Sequence, residues 1–176
     1  MIYTSTFHSP LGDLFLAASE TSLIGLWSEG QKYYRATLLD DTTLSPAKSG
    51  SNPAIDDATL WLERYFAKEQ PPISDLSLAP EGTTFRKAVW DILRTIPYGE
   101  VLTYGEIARM MAQKTGKERM ASQAVGGAVG HNPISIIIPC HRVVGSNASL
   151  TGYAGGIAMK EALLKHENAD FIKQLS

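Results

Sequence analysis

Cysteine is almost absent from this chain: of 176 residues, only Cys140 is one. A single thiol excludes an internal disulfide and fits a reducing, cytoplasmic setting. Histidine is scarce as well, with four residues. His8, near a strand end, has no cysteine partners for zinc and reads as structural or solvated, so no metal or other cofactor is expected. Long apolar runs are missing. None approaches the ~20 residues that span a bilayer, and the N-terminus lacks the charged-then-apolar layout of a signal peptide. Nor is there a large excess of one charge. The net of −2 by itself argues against a nucleic-acid partner.

The distribution of charge points the other way. Residues 1–80 carry 5 Lys and Arg against 10 Asp and Glu, whereas residues 81–176 carry 11 against 8. A positive half beside an acidic one is expected where only the second half meets an anionic partner, although uneven surface scatter gives the same numbers. The hydrophobic fraction, 44%, is that of an ordinary globular chain, long enough for one domain or two small ones.

Alternating apolar positions predict three short strands near Tyr3–His8, Leu14–Ala18 and Leu23–Trp27, joined by turns at Ser9–Gly12 and Ser19–Thr21. The arrangement reads as an antiparallel meander. Residues 40–52, rich in Asp, Thr, Ser, Pro and Gly, read as an exposed loop. Asn52-Pro53 then opens a helix as N-cap and first-turn proline. Ile55, Ala58, Thr59, Trp61, Leu62, Tyr65 and Phe66 form its apolar face, expected to pack on the meander. Pro71-Pro72 and Ala79-Pro80-Glu81-Gly82 break the pattern. The predicted domains are 1–79, a small N-terminal α/β domain, and 80–176.

The second domain opens with helical spacing through Phe85, Val89, Ile92 and Ile96, with Thr84 as cap. Thr103-Tyr-Gly-Glu106 is a capping box, followed by a short helix and a polar loop over 112–119. Residues 121–130 have helical periodicity but carry three glycines, each costing about 1 kcal/mol in a helix interior. Tight packing on a neighbouring helix and close approach to a nucleic-acid backbone both explain them. Two helices joined by a short polar turn make a helix-turn-helix candidate, winged if Ile136–Ile138 form the buried strand that their branched side chains suggest. The fold class is thus α/β (α+β), with a winged helix-turn-helix-like second domain. A final helix is predicted over Ile157–His166.

Cys140 ends the apolar run, immediately after Pro139. His141 and Arg142 stand beside it, and both can favour thiolate over thiol. Neighbours along an extended chain point to opposite faces, so His141 need not touch the thiol; a bridging water or a third residue serves as well.

Pro139-Cys-His-Arg-Val143, with Asn132-Pro133 before it and Tyr153-Ala-Gly-Gly156 after it, resembles the O6-alkylguanine-DNA alkyltransferases, also called methylated-DNA–protein-cysteine methyltransferases. The resemblance covers residues 81–167; the first domain matches in layout only. It implies direct-reversal repair, in which Cys140 takes the alkyl group from O6-alkylguanine, and O4-alkylthymine, and keeps it. It further implies His141 as a water-mediated base, Glu167 orienting the imidazole, Tyr104 donating to a base ring nitrogen and Asn132 bracing the cysteine turn. Backbone groups of Val143, Ala154 and Gly155, with Tyr153 as a wall, would read the substrate. Arg142 reads as a structural ion-pair partner. The partner implied is double-stranded DNA bound through its minor groove, with the alkylated base flipped out, by a monomer. Ala124, Gly127 and Ala128 would be small so that their helix fits that groove. One departure stands out. Where the family usually has an arginine filling the gap left by the flipped base, this chain has Gln123, and Arg119, placed one turn earlier, is the candidate substitute.

Three other classes compete. One is a regulatory protein that signals through its alkylated state, which would usually add a second cysteine-bearing DNA-binding domain not seen in this sequence. A cysteine hydrolase or redox protein lacks support, because no oxyanion-hole motif or resolving cysteine is visible. A pure lesion-binding module resembles the chain but would lack Cys140.

Overall fold

The computed structural model describes residues 1–167; residues 168–176 of the second predicted domain lie outside the described residues. The chain forms two compact units. The first is Met1–Glu81 together with Pro133–Ile137, and the second is Gly82–Asn132 and the chain from Ile138 onward.

In the first unit, β1 (Ile2–Ser9), β2 (Gly12–Ala18) and β3 (Leu23–Ser28) form the expected meander. Register runs from Tyr3 opposite Ala18 to Ser9 opposite Gly12. Gly12 makes that tight turn at φ +108°, a conformation that disfavours side chains. The sheet is mixed rather than purely antiparallel. A fourth strand, β4 (Leu44–Pro46), pairs parallel to β1 from within the segment read as a loop. Its three residues are too few for period-2 alternation to show.

The outer edge of β3 is covered, as exposed strand edges must be. Leu23 exchanges backbone hydrogen bonds with Ser77 and Ala79, and Leu26 with Pro133 and Ser135. The reason for Gly25 lies in the same strand: a Cβ there would sit 1.9 Å from the Trp27 ring. Helix α1 (Pro53–Phe66) starts as the sequence indicates, Asn52 Oδ1 accepting from the Ile55 amide at 3.0 Å. It buries Ile55, Ala58, Trp61, Leu62 and Tyr65 and packs on β1, β2 and β3.

The second unit begins with α2 (Thr84–Leu93). Its cap is Thr83 rather than Thr84, accepting from the Arg86 amide. The helix also ends three residues before Ile96, because Pro97 bars the preceding residue from the α region; Ile96 is buried nonetheless. The capping box is present, with Thr103 N–H donating to Glu106 Oε2 at 2.7 Å and Glu106 N–H to Thr103 Oγ1 at 3.1 Å. It opens α3 (Tyr104–Thr115), which runs further than the sequence suggests. Its stop is Gly116, left-handed at φ 71°, so the polar loop begins there. Helix α4 (Ser122–Gly130) follows, and α2, α3 and α4 pack on one another. Strands β5 (Leu102–Thr103) and β6 (Val143–Val144) pair in parallel, and α5 (Ile157–His166) is the last described helix. No described helix is long and apolar enough to cross a membrane.

Ile136–Ile138 do not form a strand. Ile136 is left-handed, at φ 69°, and the backbone closes on itself in successive three-residue turns. The Ile137 amide donates to the Ser135 carbonyl and the Cys140 amide to the Ile138 carbonyl, each at 2.8 Å. All three isoleucines are fully buried, so their branched side chains fill a core as they would from a strand. A short apolar run carries the same pattern in either case.

Candidate active site

Proline sets the turn that presents Cys140. Pro139 lies at φ −82°, ψ 66°, the centre of an inverse γ-turn, and its ring holds φ there without a missing donor, since the bond across the turn comes from Cys140. The Ile138 carbonyl that accepts this bond also accepts Asn132 Nδ2 at 2.8 Å. Asn132 thus braces the turn from the end of α4. Cys140–Arg142 then form one 3-10 turn, closed by the Arg142 amide on the Pro139 carbonyl. The cysteine is therefore the first residue of a tight turn, not the end of a strand.

The thiol is only 4% exposed. Burial pushes it up from its ordinary value, while the Asn132 side chain, the charge of Lys160, its own turn backbone and the Tyr153 side chain pull it back in part. These groups, rather than His141 and Arg142, are the ones that favour thiolate. The neighbours in sequence point elsewhere.

His141 and Arg142 converge on Glu167, the C-cap residue of α5. His141 Nε2 lies 2.5 Å from Glu167 Oε2. Arg142 Nε donates to Oε1 at 2.7 Å and Nη2 to Oε2 at 3.2 Å, and its third arm, Nη1, donates to the Ile96 carbonyl at 2.7 Å. The Gly99 amide adds a further donor to Oε1 at 3.1 Å. Burial alone would push the Glu167 carboxyl up, but His141 and Arg142 outweigh it and hold the group well below the usual carboxylate range. Burial lowers the imidazole below its ordinary value, against the pull of Glu167, so it is neutral near pH 7. With Nε2–H donated to the carboxylate, Nδ1 carries the free lone pair. That atom is buried and has no protein hydrogen-bond partner. A neutral imidazole with an open lone pair is a base.

Tyr104 opens α3 and lies half-buried, its hydroxyl 3.1 Å from both the Thr151 and Gly152 carbonyls. Burial first, then negative charge at Cys140, pushes the phenol up to about 12. It is a proton donor throughout the neutral range. Tyr104 also lines an open cleft of about 780 Å³ with Gln123, Gly126, Arg109, Asn147 and Gly152, which Cys140 does not itself line. Val143 is buried in β6, whereas Tyr153, Ala154 and Gly155 are half-buried in the loop before α5. Gly155 is needed there for space, since a Cβ would meet the Tyr153 ring at 2.8 Å.

On α4, Gln123, Ala124 and Gly127 are exposed. A Cβ on Gly127 would meet nothing within 4 Å, so helix packing does not explain that glycine. Ala128 corrects the expectation for an outward-facing stripe. It is 2% exposed, and its carbonyl accepts Trp90 Nε1 at 2.8 Å. One residue turns a helix by about 100°, which carries position 128 from the surface into the core. Arg119 is also not one turn before Gln123: α4 begins at Ser122, and Arg119 is exposed in the preceding loop. The arginine that shares a cleft with Gln123 is Arg109 of α3.

Sequence reasoning missed Lys160. It is fully buried, donates from Nζ to the Thr151 carbonyl at 3.0 Å and lies 5.7 Å from the centroid of the Tyr104 ring. Its spacing from Leu163 and Leu164, three and four residues on, places it on their inward face, a signal present in the sequence.

Known proteins are similar to this chain over nearly its whole length. Residues 2–80 match the family described as 6-O-methylguanine DNA methyltransferase, ribonuclease-like domain, and residues 84–169 match its DNA binding domain. A methylated-DNA–protein-cysteine methyltransferase of Methanosarcina acetivorans is 44% identical over 96% of this chain and 99% of its own. One from Haemophilus influenzae is 39% identical over 97% of this chain and 89% of its own. Among solved structures, Mycobacterium tuberculosis OGT in complex with DNA superposes with a TM-score of 0.79 at 41% identity, covering 95% of this chain and 93% of that one. The match runs through both units and the cysteine turn alike: the chain belongs to the 6-O-methylguanine DNA methyltransferase family, whose members move an alkyl group from DNA to a cysteine of the protein itself.

Proposed function

We propose that Cys140 Sγ is the acceptor and that the groups around it divide the reaction between them. The observation that carries this reading is the only cysteine of the chain, buried among Asn132, Tyr153 and Lys160, next to a neutral imidazole whose other nitrogen is fixed by an ionised carboxylate. His141 Nδ1 takes the thiol proton through a water. The S–C bond then forms as the C–O6 bond breaks, and the electron pair stays on the purine oxygen. The purine recovers one proton, helped by the Tyr104 hydroxyl donating to its ring nitrogen. Thiolate suits this carbon because both are soft, and the thioether product does not turn over, so each molecule acts once. Val143, Ala154 and Gly155 would read the base through their backbones, with Tyr153 as wall.

The substrate lies inside duplex DNA, so the base must be flipped into the site, at a few kcal/mol. Helix α4 would lie in the minor groove with Ala124 and Gly127 towards the duplex, bound as a monomer in the cytoplasm. Intact-mass measurement after incubation with a duplex carrying O6-methylguanine tests the reaction. One added methylene on the peptide containing Cys140 is expected, and none with undamaged duplex. An unmodified protein after prolonged incubation rejects the assignment.

Two smaller effects probe the DNA face. Gly127→Ala meets no atom and removes a helix-interior glycine, so it raises stability by about 1 kcal/mol yet weakens duplex binding by adding bulk to the groove face. Thermal unfolding and titration of lesion-free duplex measure the two separately, and unchanged affinity would remove α4 from the groove. Gln123→Arg adds one charge to the same face. It is expected to bind duplex more tightly and to steepen the salt dependence of log K by about 0.9, the slope of one phosphate contact; coincident salt series for the two proteins would reject this.

A further inference from the structure

Lys160 is the one fully buried lysine among the described residues, and the alkyl-transfer steps leave it without a role. Its ammonium donates to the Thr151 carbonyl, the same oxygen that accepts the Tyr104 hydroxyl, and it stands against the Tyr104 ring. A buried cation is costly unless it is paired. The arginine beside the site has its carboxylate, Glu167. None of the ion pairs among the described residues includes Lys160. Among the described residues, negative charge at Cys140 is what pulls the lysine up against its burial.

We propose that Lys160 is a positioning residue for alkyl transfer: its ammonium holds the Thr151 carbonyl and stands against the Tyr104 ring, and it becomes the counter-ion of Cys140 when the thiol ionises. The inference rests on the alkyl-transfer reading of Cys140. Before ionisation no ion pair among the described residues includes the ammonium; an ionised Cys140 supplies one. An interaction that reaches full strength only in the reactive form accelerates the step instead of merely tightening the resting state. The same ammonium explains why the Tyr104 hydroxyl can leave its two carbonyls for a base nitrogen: Thr151 O keeps a donor when the phenol turns away.

Among the described residues, Lys160 stands against the Tyr104 ring of α3 and donates to the Thr151 carbonyl of the loop before α5, and its charge acts on Cys140 and His141 of the 3-10 turn. Burial brings the lysine down to about 8, while negative charge at Cys140 pulls it up. A cation with this value is present at neutral pH and fades above it.

The test follows thiolate absorbance in the ultraviolet across pH, together with the rate of alkylation by an O6-alkylguanine free base, which avoids any effect on DNA binding. Lys160→Gln keeps a donor for Thr151 and loses the charge; Lys160→Arg keeps the charge. The glutamine variant is expected to ionise Cys140 at higher pH and to react about tenfold more slowly for each unit of that rise, with arginine restoring part of the rate. A glutamine variant that titrates and reacts as the parent does overturns the proposal, since a purely structural lysine would leave the thiol where it is. If that variant does not fold, Lys160→Met, which removes the charge in a side chain of similar length, is taken through the same two assays. A thiol ionising at higher pH with slower alkylation supports the inference, and a profile and rate equal to the parent's overturn it. A parent that fails to react with both the free base and lesion-bearing duplex refutes the alkyl-transfer reading instead.

Discussion

Cys140→Ala protein gains no mass on lesion-bearing duplex, under conditions in which the parent is fully alkylated within one equivalent of substrate. The expected loss is complete, because the chain has no second cysteine to react more slowly. Serine is no substitute. Its hydroxyl fits the pocket and could still accept from Asn132 and Tyr153, but oxygen is harder than sulfur and far less acidic, so His141 cannot ionise it near neutral pH. Both variants should bind duplex within about threefold of the parent, since phosphate contacts dominate such affinity and the buried thiol makes none. The pair of readouts matters. Lost transfer with retained binding places the chemistry on the sulfur. Residual alkyl transfer by the alanine protein would move the acceptor to another side chain and undo the reading of the site.

Much of that site is legible along the chain because its signals are local. Asn52-Pro53 and Thr103–Glu106 announce helix starts through side chains that bond amides three residues away. The Pro139-Cys140 pair makes its own turn, and the pattern of residues around it carries the family resemblance. What the sequence hides depends on partners far away. Whether Ile136–Ile138 extend or curl is decided by turns that draw on the Asn132 amide as well as their own backbone. Ala128 differs from Gly127 only by a rotation about the helix axis, and the Trp90 indole that claims its carbonyl lies 38 residues earlier. Arg142 and Glu167 are 25 residues apart, and nothing in Lys165-His166-Glu167 distinguishes the glutamate from a solvated acid. The source of thiolate stabilisation is the least accessible feature. Sequence adjacency suggests the cations His141 and Arg142, whereas the turn points them at Glu167 and the charge that pulls the thiol down is that of Lys160, twenty positions away in sequence.

Glu167→Ala should be the most damaging substitution for the fold of the second unit, costing about 3–5 kcal/mol, the usual penalty for breaking one side of a buried ion pair. The removed carboxylate takes acceptors from Arg142 Nε and Nη2, from His141 Nε2 and from the Gly99 amide, and it strands a guanidinium that is itself buried. Glu167→Gln keeps one oxygen and should lose less, while still failing to neutralise Arg142. The pH dependence separates charge from packing. The carboxyl is held well below its usual range in the folded chain, so its contribution is fully present above the unfolded value of about 4.3 and drains away as pH falls below it towards the folded value. Denaturant unfolding of the parent between about pH 6 and pH 3 should therefore show stability falling with acid, and the glutamine protein, with no proton to take up at this position, should fall less steeply. Parallel curves for the two would mean that Arg142 does not depend on the charge of Glu167. The same variant reports on His141. Without the carboxylate to hold Nε2–H, the imidazole loses the bond that fixes its tautomer, and the alkylation rate should drop even where the protein remains folded.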